Sequence, residues 1–121
     1  MKSNYPWSNP IEETSWYNIY EDKYPVTEGH LLFIPKEEDE YILNKCFLGA
    51  YRRGEEWVQS GFCEGFNIGM NKGEWAGQTV MYPHVHLIPR REGDLGWYEN
   101  GTPYDPQGGV RNVIPHKGKY K

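Results

Sequence analysis

A pair of histidines in an apolar run constrains the fold of this chain more than any other feature. His84 and His86 alternate with Val85 and Leu87 in the stretch 79–89. Successive side chains of a β-strand point to opposite faces, so the alternation predicts a strand with both imidazoles on one face. Because imidazole is a catalytic and ligating group near neutral pH, a pair held on a strand indicates a functional site.

The rest of the chain predicts three more strands and one main helix. Strands are expected at 15–22, 30–35 and 65–70, where apolar and aromatic residues lie between turn residues. Acidic residues at 37–40 favour a helix start, and Gly49 and Gly54 predict that the helix bends or stops before a second helical stretch around 55–59. This order predicts an antiparallel α+β domain. The apolar positions of the main helix lie three or four residues apart, at Ile42, Leu43, Cys46, Phe47, Ala50 and Tyr51.

The length of 121 residues predicts one domain. No segment approaches the length of a membrane span, so none is expected. We expect an irregular N-terminal lead-in over 1–14 and a domain over 15–121, with a turn-rich C-terminal arm from about residue 92. The net charge of −4 argues against sequence-independent binding to nucleic acid. No apolar signal core opens the chain, and Cys46 and Cys63 lack a metal or disulfide spacing, so we expect buried free thiols in a cytoplasmic protein.

Polar residues near the histidines indicate phosphate chemistry. His30 follows Gly29 at a strand start, and Gln78 and Thr79 come just before the histidine strand. An imidazole that attacks phosphorus needs nearby donors for the nonbridging oxygens and a fixed tautomer. Two other interpretations stay open at this point: a structural or solvent-exposed histidine pair, and a zinc site formed by His84, His86 and His30.

Three motifs follow one another along the chain: Asp22-x-x-Pro25-Val26-x-x-Gly29-His30, then Asn71-x-Gly73-x-x-Ala76-Gly77-Gln78-Thr79-Val80, then His84-x-His86 with Ile88-Pro89-Arg90. In this order they resemble the motifs of the histidine-triad (HIT) nucleotide hydrolases and transferases, and the resemblance covers about residues 15–121. The tail residues Gly93-Asp94 and 108–115 resemble a bacterial-type branch often labelled diadenosine tetraphosphate hydrolase.

The resemblance implies a HIT-like antiparallel sheet, a homodimer that shares a continuous sheet, and hydrolysis or transfer at the α-phosphate of a purine nucleotide conjugate. Dinucleoside polyphosphates and nucleoside phosphoramidates are the expected substrates, and no cofactor or metal is implied. His84 would be the nucleophile that carries the nucleotidyl group, and His86 would bind phosphate or the departing group. His30 would lie behind them, Asp22 would hold the ribose hydroxyls, and Asn71, Gln78 and Thr79 would contact phosphate.

The chain departs from the family pattern at one position. Tyr82 stands where the family has the first histidine of His-x-His-x-His, and Pro83 follows it. The Tyr82 hydroxyl could replace the imidazole hydrogen bond at the substrate, or the ring could be a core aromatic. The helix that usually opens the family fold is also expected to be missing. These departures motivate an alternative function, a nucleotide-binding sensor or interaction protein with little or no turnover.

Overall fold

The computed structural model describes residues 7–94 and 109–114. In this part of the chain, a five-stranded antiparallel sheet packs against one long helix, so the predicted α+β class is confirmed. The sheet order is β1-β2-β3-β5-β4. The elements are β1 (Glu12–Glu13), β2 (Tyr17–Glu21), β3 (Leu31–Pro35), α1 (Glu40–Ser60), β4 (Gly65–Gly69) and β5 (Val85–Arg90), with short 3-10 helices at Glu74–Ala76 and Gly109–Val113.

Helix α1 has clear start and stop signals. The Asp39 carboxylate accepts a hydrogen bond from the backbone N–H of Ile42 at 3.1 Å, and Gly61 ends the helix with a left-handed φ of 84°. Between them the helix runs without interruption through Gly49 and Gly54. Of the two predicted alternatives, a bend or a stop, the stop is therefore wrong, because tertiary packing outweighs the low helix propensity of glycine.

The two glycines let the helix approach the sheet closely. A Cβ atom built on Gly54 would lie 2.6 Å from carbons of the Phe66 ring on β4, and one on Gly49 would collide with the Tyr17 ring on β2. Real Cβ atoms essentially never approach so closely. Both positions therefore need glycine for packing rather than for a turn.

The sheet buries residues on both faces. The face under α1 holds the larger core, and each fully buried apolar side chain there stabilises the fold by about 1.5–3 kcal/mol. The opposite face holds a smaller cluster against which Trp7 packs. The larger core consists of Ile19, Leu31, Phe33, Cys46, Ala50, Val85 and Leu87, and the smaller cluster of Tyr20, Leu32, Ile34 and Tyr82.

Both cysteines are buried and free, as predicted. Burial raises the pKa of the Cys46 thiol to about 12, so the thiol is protonated at neutral pH and behaves as a small apolar side chain. In the described ranges, no helix combines the length and apolar character needed to cross a membrane.

Two boundaries differ from the sequence prediction. Strand β5 begins at Val85, so residues 79–84 form a loop and His84 lies just before the strand rather than within it. Glu12 and Glu13, within the expected irregular lead-in, form a short strand paired with Ile19 and Asn18. The C-terminal arm, predicted from about residue 92, lies outside the described residues over 95–108 and 115–121.

Replacing Gly54 by alanine is expected to destabilise the protein by about 1–3 kcal/mol, because the added methyl group overpacks against Phe66. Helix propensity alone predicts the opposite sign, a gain of about 1 kcal/mol. Urea unfolding of Gly54→Ala measures the balance. Asn44→Ala, at an exposed position of the same helix, is the control, and its free energy of unfolding should stay equal or rise slightly. A Gly54→Ala variant as stable as the wild type would contradict the packing argument.

Candidate active site

Antiparallel pairing of β3 with β5 brings distant histidines together. Leu32 pairs with His86, and His30 lies one residue before β3. The Nε2 atom of His30 lies 2.9 Å from Nδ1 of His86. The ring centroids of His84 and His86 are 5.3 Å apart. The three predicted histidines therefore form one cluster, at the end of the sheet where β5 begins.

The surroundings of His30 define where its proton lies. The backbone N–H of Val26 donates a hydrogen bond to Nδ1 of His30 at 3.2 Å, so this nitrogen is an acceptor. In a neutral ring the proton is then on Nε2, which lies 2.9 Å from Nδ1 of His86 and 3.2 Å from Oδ2 of Asp22. His30 is 4% exposed, and burial lowers its pKa against the opposing effect of Asp22. A buried, neutral His30 thus donates into the cluster.

This arrangement makes His86 a hydrogen-bond donor. Because His30 donates to Nδ1 of His86, the proton of a neutral His86 ring is on its outer nitrogen, Nε2. Burial lowers the pKa of His86 to about 4, and the neighbouring His30 and His84 act in the same direction. At neutral pH His86 is therefore an uncharged donor through Nε2.

In His84 the two ring nitrogens have the opposite roles from those in His86. Its Nδ1 lies 2.8 Å from the backbone carbonyl oxygen of Tyr82. A carbonyl oxygen only accepts hydrogen bonds, so Nδ1 carries the proton and Nε2 keeps a lone pair. This tautomer leaves Nε2 of His84 with a lone pair that is chemically able to attack an electrophile.

Tyr82 acts through its backbone while its ring lies in the core. The ring is 4% exposed, and the hydroxyl donates to the carbonyl oxygen of Pro35 at the end of β3, 2.9 Å away. Burial raises the pKa of the Tyr82 hydroxyl to about 12. Of the two interpretations of Tyr82, the structure therefore favours the core aromatic over a hydroxyl at the substrate.

Asp22, predicted at the ribose, contacts the histidine cluster. Its Oδ1 accepts the backbone N–H of Tyr24 at 2.9 Å, which shapes the turn after β2. Its Oδ2 lies 3.2 Å from Nε2 of His30 and 3.9 Å from Nδ1 of His86. This carboxylate thus helps to orient His30, a contact between strand ends that the sequence pattern did not predict.

The predicted phosphate-contacting residues divide into two kinds. The buried Gln78 amide is engaged within its own loop: Oε1 accepts the backbone N–H of Gly73 at 2.7 Å, and Nε2 donates to the carbonyls of Val80 and Met81. Its side chain therefore shapes the loop. Asn71 and Thr79 lie on the same loop and are exposed.

Sequence reasoning missed Trp7. The indole ring lies 5.3 Å from the imidazole of His84, 6.0 Å from the Tyr82 ring and 6.4 Å from the Tyr20 ring, measured between centroids. A lone aromatic residue in an irregular, proline- and asparagine-rich segment carries no periodicity. Only the pairing of the following residues with β2 indicates that this segment returns to the sheet.

One group of side chains in the described residues could hold a metal ion. The ligand atoms of Asp22, His30 and His86 lie within 4.8 Å of one another. This set differs from the zinc ligands considered from the sequence, because Asp22 replaces His84. A metal at Nε2 of His30 needs the lone pair of that atom, whereas the Val26 contact places the proton there. The hydrogen-bond pattern therefore does not fit a metal on His30.

Comparison with known proteins identifies the family. A model of the HIT domain matches residues 8–93, and the chain belongs to the HIT family. The structure is similar to a zinc-bound histidine triad family protein of Mycobacterium smegmatis, with a TM-score of 0.65 and 28% identity over 80% of this chain and 73% of that one. The sheet and helix thus match the HIT fold.

Relatives with named activities act on nucleotides. The chain is 29% identical to an adenosine 5'-monophosphoramidase of Candida albicans, over 94% of this chain and 84% of the relative. It is 30% identical to an adenylylsulfatase of Arabidopsis thaliana, over 63% of this chain and 42% of the relative. These relatives support hydrolase activity on nucleotides in general.

The depressed pKa of His86 predicts a pH dependence of stability. Its pKa is about 4 in the folded protein and about 6.5 when unfolded, so protonation favours unfolding. The resulting stability is fully present above about pH 6.5 and is lost as the pH falls towards 4. The expected loss is ~2 kcal/mol, allowing for partial solvent screening. Urea unfolding across this range should show a steeper decline for the wild type than for His86→Asn, and equal slopes would contradict the shift.

Removing the Tyr82 hydroxyl is expected to cost about 1–3 kcal/mol of stability, because the Pro35 carbonyl loses its donor in a buried site. Urea unfolding of Tyr82→Phe measures the loss. Tyr24→Phe, with a ring 80% exposed, is the matched control and should stay within about 0.5 kcal/mol of the wild type. Equal stability of both variants would show that the Tyr82 hydroxyl bond contributes nothing.

Proposed function

We propose that this protein hydrolyses purine nucleotide conjugates at the α-phosphate, or transfers their nucleotidyl group, through a nucleotidyl-histidine intermediate on His84. Dinucleoside polyphosphates and nucleoside phosphoramidates are the proposed substrates. The observation that carries the proposal is the 2.8 Å contact between Nδ1 of His84 and the Tyr82 carbonyl, because it leaves a lone pair on Nε2. The nucleotide hydrolases among the relatives support the reaction class.

In the first step, the Nε2 lone pair of His84 forms a bond to the α-phosphorus. The bond from phosphorus to the leaving atom breaks, and its electron pair goes to that atom. The Nε2–H of the neutral His86 is the proposed donor to the leaving oxygen, where negative charge develops. A polyphosphate leaving group then departs as an oxyanion, whereas the nitrogen of a phosphoramidate takes a proton from solvent and departs as the neutral amine. The Asp22 and His30 contacts keep His86 in this donor form.

In the second step, water attacks the phosphorus of the intermediate. The phosphorus–Nε2 bond breaks, and its electron pair returns to the His84 ring. The mononucleotide leaves with the oxygen of water, and one proton is released to solvent. Water as the acceptor gives hydrolysis, and another nucleophile in the same place gives transfer.

Substrate contacts are proposed for the residues around this centre. Asn71, Thr79 and the loop that Gln78 shapes are assigned to the phosphate groups, since their loop leads directly to His84. Asp22 is assigned to the ribose hydroxyls, with its contact to His30 as a second role. Tyr82 contributes to binding only through its backbone and its packing.

We also propose a cytoplasmic homodimer, as the resemblance implies. Among the described strands, β4 pairs only with β5, and its other edge is the proposed site of pairing with a second copy. The proposed reaction uses no metal, although a relative is described as zinc-bound, because Nε2 of His30 is a donor here. We further propose that the chain belongs to the branch labelled diadenosine tetraphosphate hydrolase, on the sequence of a tail that lies mostly outside the described residues.

An alternative function is a nucleotide-binding sensor or interaction protein with little turnover. The observation that favours it is Tyr82, whose buried ring stands where the family pattern has its first histidine and whose hydroxyl bonds Pro35 rather than facing a substrate. This alternative predicts tight nucleotide binding without product. The nucleotidyl adduct separates the two functions, because only the enzyme forms it.

Incubation with diadenosine tetraphosphate and adenosine phosphoramidate should release mononucleotide, and a short pulse should add one nucleotidyl group to the protein. His84→Ala removes the nucleophile, so we expect the adduct to disappear and turnover to fall by at least about 10³-fold. Product analysis and intact-protein mass spectrometry measure both quantities.

His116→Ala is the matched control, since it removes a histidine from the polar tail, and it should keep both the adduct and turnover. Equal background release by wild type and His84→Ala on every substrate would reject catalysis. Nucleotide binding without product or adduct would support the sensor instead.

A further inference from the structure

The indole of Trp7 lies against the ring that the proposed reaction makes positively charged. The centroids of Trp7 and His84 are 5.3 Å apart, with 56° between the ring planes. Trp7 also lies edge-on to Tyr82, at 6.0 Å and 70°. The residue that orients His84 through its carbonyl thus also supports the indole that packs on His84.

The N-terminal segment that carries Trp7 is tied to the sheet. The backbone N–H of Ile11 donates to the carbonyl of Ile19 at 2.8 Å, and Glu12 and Glu13 pair with β2. Trp7 then reaches the sheet face opposite α1, where Tyr20 and Tyr82 are buried. The segment therefore contributes a defined side chain to the site.

Resting on the proposed function, we propose that Trp7 is a positioning residue for His84 that stabilises the positive charge of the imidazole ring in the nucleotidyl intermediate. Attachment of phosphorus to Nε2 leaves the proton on Nδ1, where the Tyr82 carbonyl accepts it, so the ring carries a formal positive charge. An aromatic face within about 6 Å attracts such a cation, and tryptophan does so more strongly than phenylalanine.

The test is steady-state turnover of diadenosine tetraphosphate by wild type, Trp7→Phe and Trp7→Leu, with kcat and KM measured separately. With a turned-over substrate, kcat should fall about threefold in Trp7→Leu at a nearly unchanged KM, and Trp7→Phe should restore part of it. Trp16→Leu is the control, because the Trp16 ring lies against Tyr41 and Lys45 instead.

An unchanged kcat in Trp7→Leu would overturn the proposal, whether or not KM rises. If Trp7→Leu does not fold, Trp7→Phe decides alone: a lower kcat at an equal KM supports the proposal and an equal kcat overturns it. Absence of turnover in the wild type would reject the proposed function and this proposal with it, whereas turnover that does not depend on Trp7 would overturn this proposal alone.

Discussion

The register between β3 and β5 is the constraint on which the site depends. Pairing of Leu32 with His86 places the ring that precedes β3 beside a ring within β5, although 56 residues separate them. Leu31 and Leu87 fix this register, because they pair on the opposite face and are buried in the core under α1. A slip by one residue would turn His86 into the core and Leu87 into the site. Core packing thus positions the histidines.

Backbone groups then decide which nitrogen of each ring is a donor. The N–H of Val26 makes Nδ1 of His30 an acceptor, and the carbonyl of Tyr82 makes Nδ1 of His84 a donor. His86 takes its tautomer from His30. Backbone groups cannot change their donor or acceptor character. Nε2 of His84 therefore keeps a lone pair, and Nε2 of His86 keeps a proton. Two histidines of equal sequence character therefore acquire different chemistry.

Much of this arrangement could be predicted from the sequence. Alternation and apolar spacing predicted β2, β3 and β4 to within about two residues, whereas β5 begins six residues later than predicted and α1 continues past the predicted stop. The motifs also predicted that His30, His84 and His86 share one site. Other features depend on contacts between distant residues and leave no local pattern. Gly54 continues a helix because Phe66 lies against it, and Trp7 reaches the site because β1 pairs with β2. The sequence predicts that Gln78 contacts phosphate, but its side-chain amide forms hydrogen bonds within its own loop.

The position of Tyr82 explains how a chain can lack the first histidine of its family motif. What His84 receives from this position is a carbonyl oxygen, which every residue type supplies. The side chain is needed to hold that carbonyl in place, and a buried ring tied to Pro35 by its hydroxyl can do so. Because the ring is buried, the aromatic cluster with Trp7 and Tyr20 becomes part of the support for His84. At this departure from the family pattern the side chain thus belongs to the core, and the carbonyl sets the tautomer on which the proposed chemistry depends.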